Sequence, residues 1–176
     1  QELVSAVKHG YLYQGQHYAW QGKRRGVPAR DVPPAAFVAY IQNHDQVANS
    51  ARGERLHVLT GPGRWRAMTA LLLLAPATPM LFQGQEFAAS TPFLYFADHR
   101  AELTELVRKG RTEFLAHFAS IAAADVSACV PDPGAASTFE ACKLDLGERV
   151  RHGPSYALHR DLLALRRQDA VFSTQG

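Results

Sequence analysis

The sequence predicts an α/β protein built on a parallel sheet, and three observations carry that prediction. Two short, β-rich apolar runs, Phe37–Gln42 and Met80–Gln83, flank one strong helical stretch from Thr60 to Ala75. Each run ends abruptly in polar residues, Asn43-His44-Asp45-Gln46 after the first and Gly84-Gln85-Glu86 after the second. The chain is also 47% apolar and 20% charged, the balance of a folded globular domain rather than a disordered segment.

Taken in order, the chain opens with Leu3, Val4 and Val7 on one helical face, stopped by Gly10. Tyr11 to Pro34 mixes Tyr11, Tyr13, Tyr18 and Trp20 with Gly, Gln and basic residues, and reads as a long loop without regular structure. The nearly continuous apolar run Phe37–Gln42 suits a strand buried on both faces. After a polar loop, Thr60-Gly-Pro-Gly opens a helix with Pro62 in the first turn, where its missing N–H costs nothing. Trp65, Met68, Leu71, Leu72 and Ala75 repeat at helical spacing, and Pro76 and Pro79 end the helix. The second strand follows at Met80–Gln83. Asp98 has the chemistry of an N-cap for a long helix marked by Leu103, Leu106, Val107, Phe114, Leu115 and Phe118, continuing into Ser120–Ala128. A loop around Pro131–Gly134 precedes a final helix, which opens near Pro154, carries Leu158, Leu162 and Leu165, and closes on Arg166 and Arg167.

Composition narrows the function classes. The net charge of +3 comes from 19 basic against 16 acidic residues. The only dense basic runs, Lys23-Arg24-Arg25 and Arg166-Arg167, read as solvated surface, so no nucleic-acid partner is expected. The longest apolar run, Leu71 to Phe82, is broken by two prolines and falls short of the ~20 residues of a membrane span, so no membrane partner is expected either. The first residues lack the basic start and apolar stretch of a signal peptide. Cys129 and Cys142 belong to no C-x-x-C or Cys/His cluster, so they read as structural thiols in a reducing cytoplasm, with no metal site.

Polar clusters at the C-terminal ends of parallel strands are where ligands and catalytic groups collect. Asn43-His44-Asp45 places an amide, an imidazole and a carboxylate at such an end. The competing reading is that Asn43 or Asp45 caps a turn. Glu86 and Gln85 similarly either hold neighbouring loops or touch a ligand. Asp98-His99 divides between helix cap and ligand contact.

Phe37-Val-Ala-Tyr-Ile-Gln-Asn-His-Asp45 resembles the seventh-strand region of the α-amylase family, where a strand ends in Asn-His-Asp. The extended stretch Gln42–Asn49, with Ala51-Arg-Gly-Glu-Arg-Leu56, is similar to the trehalohydrolase branch of that family, as is Ala75 to His99. Asp132-Pro, Thr138-Phe-Glu140, Lys143-Leu-Asp145 and Arg160 to Arg167 continue the likeness, which runs from Tyr11 to about Phe172. Two positions depart from the pattern: Gln85 stands where a second acid is expected, and Phe87 where Trp is usual.

The resemblance implies that residues 1–172 are the C-terminal portion of a catalytic (β/α)8 TIM barrel, about its seventh and eighth β/α units, and that 173–176 begin a linker. A whole barrel needs roughly 250 residues. It further implies retaining hydrolysis of the α-1,4 bond beside the terminal trehalose of a maltooligosaccharide, with no metal or organic cofactor. In the family the nucleophile follows the fourth strand and the acid/base the fifth, so the remainder of the barrel is the expected partner. Asp45 would be the third carboxylate, stabilising the transition state, with His44 donating to hydroxyls of the same sugar. Asn43, Gln46, Asn49 and Glu86 are the further substrate contacts implied. The aromatics from Tyr11 to Trp20 divide evenly between stacking platforms for sugar rings and packing. The alternatives are another member of the family, an amylase or branching enzyme, and a piece that binds glucan or a partner without catalysis. The Ala-Ser-Thr-Pro-Phe and Asp-His features argue against the first of these. A two-strand slice exposes unpaired edges, so cooperative folding is expected only within a complete barrel.

Overall fold

The computed structural model describes residues 2–117 and 130–173. In chain order it contains α1 (Glu2–His9), β1 (His17–Tyr18), β2 (Lys23–Arg24), β3 (Val38–Ala39), α2 (His44–Ala48), α3 (Leu56–Leu59) and α4 (Pro62–Leu74). There follow β4 (Thr78–Pro79), α5 (Ala101–Ala116), α6 (Ala136–Ala141), α7 (Glu148–Arg151), α8 (Gly153–Gln168) and α9 (Ala170–Ser173). Phe118, the helical continuation expected over Ser120–Ala128, Cys129 and residues 174–176 lie outside the described residues. The chain divides into two compact units, one of Gln1–Ile41, Ala67–Met80 and Leu158–Gly176, the other of Gln42–Arg66 and Leu81–Ala157.

The first unit holds the strands. The predicted order of strand, helix and strand is present, with β3 and β4 parallel and paired Val38 to Thr78 and Ala39 to Pro79. The second strand therefore lies at Thr78–Pro79 rather than at the predicted Met80–Gln83. A proline is tolerated there because Thr78 N–H and Met80 N–H donate to Phe37 O and Ala39 O, both at 2.8 Å, while the nitrogen of Pro79 points away from β3. Burial of the first strand on both faces is not met either. Val38 and Tyr40 are exposed while Phe37, Ala39 and Ile41 are half-buried, the alternation of a strand covered on one face only among the described residues.

The loop expected from Tyr11 to Pro34 contains regular structure. The antiparallel hairpin β1–β2 pairs His17 with Arg24 and Tyr18 with Lys23, and Gly22 turns the chain with φ +62°. The Arg25 guanidinium lies 5.2 Å from the Tyr13 ring centroid and 4.9 Å from that of Tyr18, which fixes the base of the hairpin. Helix α4 begins at Pro62 as predicted, but its most buried stripe is Trp65, Thr69, Leu72 and Leu73, with Met68, Leu71 and Ala75 only half-buried. Arg166 is not a merely solvated cation. It donates to the carbonyls of Leu73, Ala75 and Ala77, satisfying acceptors that the end of α4 leaves open.

The second unit buries Val47, Ala48, Trp65, Phe87, Ala89, Leu94, Leu115 and Cys142 around several polar side chains, among them Gln42, Arg55, Gln85 and Glu148. Cys142 is a buried free thiol whose sulfur accepts from Leu94 N–H at 3.1 Å. Asp98 does not cap α5: the N-cap is Arg100, with no side-chain bond, and Thr104 Oγ1 donates to the His99 carbonyl at 3.0 Å instead. Phe87, which stands where Trp is usual, is fully buried.

Candidate functional site

The polar segment after β3 forms α2, and its first turn decides how Asn43, His44, Asp45 and Gln46 are used. Asn43 is the N-cap in extended backbone (φ −143°, ψ 178°). Its Oδ1 accepts from Gln46 N–H at 3.0 Å, and Gln46 Oε1 accepts from Asn43 N–H at 3.2 Å, a complete capping box. These side chains are thus committed to building the turn, which holds the next two residues outward. His44 and Asp45 are both exposed, with His44 Nε2 at 3.3 Å from Asp45 Oδ1.

Asn49, at the other end of α2, is engaged as well. Arg111 of α5 donates through Nη1 to Asn49 Oδ1 at 2.7 Å and through Nη2 to the Ala48 carbonyl, with its guanidinium 4.5 Å from the Tyr95 ring centroid. A cation at a helix C-terminus complements the dipole and the open carbonyls.

The loop after β4 is held from several directions. Gln85 is fully buried, its Oε1 accepting from Gln42 Nε2 at 3.3 Å and Phe82 N–H at 3.4 Å, while Gln42 Oε1 accepts from Leu56 N–H at 2.9 Å. The unexpected amide at position 85 therefore ties this loop to the segment that precedes α2. Arg55, only 1% exposed, donates to the carbonyls of Thr91 at 2.7 Å and Gln83 at 2.6 Å and lies over the Phe82 ring. Burial pushes its pKa down, opposed by the charges of Glu86 and Glu148. Glu148 accepts from Ser90 N–H at 2.9 Å and from the Ser90 hydroxyl, and those bonds hold its carboxyl below the usual range. His152 Nδ1 lies 3.0 Å from the Phe87 carbonyl and 3.1 Å from that of Ala88, itself in the left-handed region at φ +49°. Glu86 is half-buried at the apex of this loop, its own carbonyl accepting from Ser155 Oγ at 3.4 Å.

Of the substrate contacts that the resemblance implies, the structure therefore leaves Asp45, His44 and Glu86 open to a ligand, while Asn43, Gln46 and Asn49 bind protein groups. Arg55, Arg111, Glu148 and His152 were missed by sequence reasoning. The only signal was Arg55 inside the Ala51–Leu56 motif. Among the described residues, no group of three or more His, Cys, Asp or Glu is placed to hold a metal ion. Among them also, no helix is long and apolar enough to cross a membrane.

No family model matches the chain. A malto-oligosyltrehalose trehalohydrolase from Deinococcus radiodurans is 43% identical over 173 residues, covering 96% of this chain and 28% of that protein. The chain is similar to one part of the malto-oligosyltrehalose trehalohydrolases. Trehalohydrolases of the same name from Arthrobacter ramosus and Brevibacterium helvolum are 39% identical over 170 residues and 36% over 179 residues, covering 94% and 99% of the chain. A crystal structure from Salmonella typhimurium, provisionally named an alpha amylase, superimposes with a TM-score of 0.86 at 40% identity, over 97% of this chain and 28% of that one. The chain thus spans less than a third of the length of the trehalohydrolases it matches. The branch read from Gln42–Asn49 and Ala75–His99 is the one to which these relatives belong.

Proposed function

We propose that residues 1–172 supply the seventh and eighth β/α units of a retaining trehalohydrolase barrel, with 173–176 leading toward a further domain. The reaction is cleavage of the α-1,4 bond beside the terminal trehalose of maltooligosyltrehalose in a reducing cytoplasm. The observation that carries this reading is 43% identity to a trehalohydrolase across 96% of the chain. The exposed Asp45–His44 pair at the start of α2 supports it.

Retention requires a nucleophile and an acid/base ~5 Å apart, and this proposal assigns both to the remainder of the barrel. Asp45 contributes negative charge against the oxocarbenium-like transition state, and His44 donates to hydroxyls of the same sugar. Because the capping box fixes the turn before binding, the pair is oriented at no cost during reaction. Glu86 is the second carboxylate facing the substrate. No metal or organic cofactor enters these steps.

The test is a hybrid in which this chain replaces the matching segment of the Deinococcus radiodurans relative. A folded hybrid releases trehalose from maltotriosyltrehalose, and Asp45→Asn lowers kcat by at least about 10²-fold. A folded but inactive hybrid sinks the trehalohydrolase reading. Faster cleavage of a plain maltooligosaccharide would move the protein to the amylase type. Activity in the 176-residue chain alone would show that it holds catalytic residues of its own.

A further inference from the structure

A concavity in the 42–66/81–157 unit lies outside the residues assigned above. It encloses about 530 Å³ and is lined by Phe96, Ala97, Asp98, the Pro133–Ala136 turn and Phe139. That volume falls in the range of small-molecule sites, ~300–1,000 Å³. Its two rings meet edge to face, with centroids 5.1 Å apart and planes at 68°. Phe96 remains 37% exposed and Phe139 46% exposed, so both present bare apolar surface to the cavity. Asp98 is the one charged lining residue, is exposed, and takes no hydrogen bond or ion pair among the described residues.

The walls are fixed in advance. Asp132 binds Arg108 through two bonds of 3.2 and 2.6 Å and accepts from Gly134 N–H at 3.0 Å. The Asp132 carbonyl accepts from Thr138 Oγ1 at 2.7 Å, and the Pro133 carbonyl from Ala97 N–H at 3.0 Å. Gly134 permits the close approach, since a Cβ there would sit 2.6 Å from Thr104 Cγ2. A preorganised wall lowers the ordering cost of binding.

We infer that this concavity is a binding subsite for a neutral α-glucan, separate from the Asp45 cluster, in which C–H faces of the sugar pack on Phe96 and Phe139 and hydroxyls donate to Asp98. The single negative charge disfavours anionic ligands. The choice of a glucan rests on the trehalohydrolase reading above. The subsite gathers substrate and contributes uniform binding, which appears in KM.

The experiment titrates the folded hybrid, isotope-labelled, with maltotriose, trehalose and choline, following the backbone amide shifts of the segment this chain supplies. Maltotriose is expected to move the amides of Phe96–Asp98 and of the 134–139 segment. Phe139→Ala and the exposed, fold-neutral Asp98→Asn each weaken binding about five- to tenfold. In the hybrid enzyme, Asp98→Asn raises KM for maltotriosyltrehalose severalfold, with the loss appearing in KM rather than kcat. Shifts confined to Asn43–Asn49 would overturn the subsite and leave the proposed function standing. A response to choline but not to maltotriose would overturn it by changing the ligand class to a cation. Absence of a glucan response at those amides in an active hybrid would overturn it too, whereas an inactive folded hybrid is the separate failure of the trehalohydrolase reading.

Discussion

Arg55 joins more of the loop architecture than any residue that sequence reasoning named. It binds the carbonyls of Gln83 and Thr91, which stand at the two ends of the loop carrying Glu86. Replacing it with Met leaves both part-buried carbonyls without their donor, at up to ~1–3 kcal/mol each. Arg55→Met is therefore expected to lower the urea midpoint strongly, with Arg55→Lys recovering only part, because an ammonium lacks the guanidinium fork. Equal midpoints for the two variants would contradict this account. His57 predicts a pH effect. Burial, then repulsion from Arg55 and His152, pushes its pKa down from 6.5 to about 4, against a smaller opposing pull from Glu148. The unfolded chain then binds more protons between those values, so stability falls as pH drops from about 6.5 toward 4. The ring is only half-buried and partly screened, which limits the swing to the order of 1 kcal/mol. Urea midpoints measured across that window should flatten in His57→Phe.

At the scale of elements, the β4 loop depends on Gly84. Its φ is +77°, and an added Cβ would lie 2.7 Å from Ala89 Cβ and 2.8 Å from Leu144 Cδ2. Gly84→Ala combines backbone strain with a clash and is expected to cost about 2 kcal/mol or more, read as a fall in thermal midpoint. Helix α2 is only five residues long and relies on its two ends. Arg111→Met should accelerate hydrogen exchange in Val47–Asn49 while leaving α4 unchanged. The sequence exposed the elements whose causes are local. Pro62 and the apolar repeat announced α4, and the abrupt change at Asn43 announced the end of β3. It hid what is settled by distant partners. Nothing near Asn49 points to Arg111, 62 positions away, and nothing near Arg166 points to the carbonyls it meets. The N-cap reading of Asp98 failed locally, since the helix starts two residues later, with Arg100 as an N-cap that makes no side-chain bond. The capping reading of Asn43 needed only the Gln three residues on, and that signal was present in the sequence.

At the scale of the whole molecule, the strand-bearing unit keeps an apolar groove of about 260 Å³, lined by Leu3, Val7, Val38, Tyr40, Leu71 and neighbouring side chains. Exposed apolar surface of this kind drives association. The isolated 176-residue chain is expected to sediment as concentration-dependent oligomers and to unfold over a broad urea range, while the hybrid unfolds sharply. A monomeric chain with one cooperative transition would refute the expectation that these elements belong to a larger barrel.

The proline in β4 has a consequence for that open edge. Thr78 spends its amide on β3, and residue 79, whose backbone faces the side left unpaired among the described residues, has no hydrogen to give. A stray strand docking there by backbone pairing finds an acceptor without its donor, so the ladder cannot propagate regularly from chain to chain. Pro79 thus acts as a guard against fibrillar stacking, and Pro79→Val would remove the guard while leaving the pairing with β3 intact.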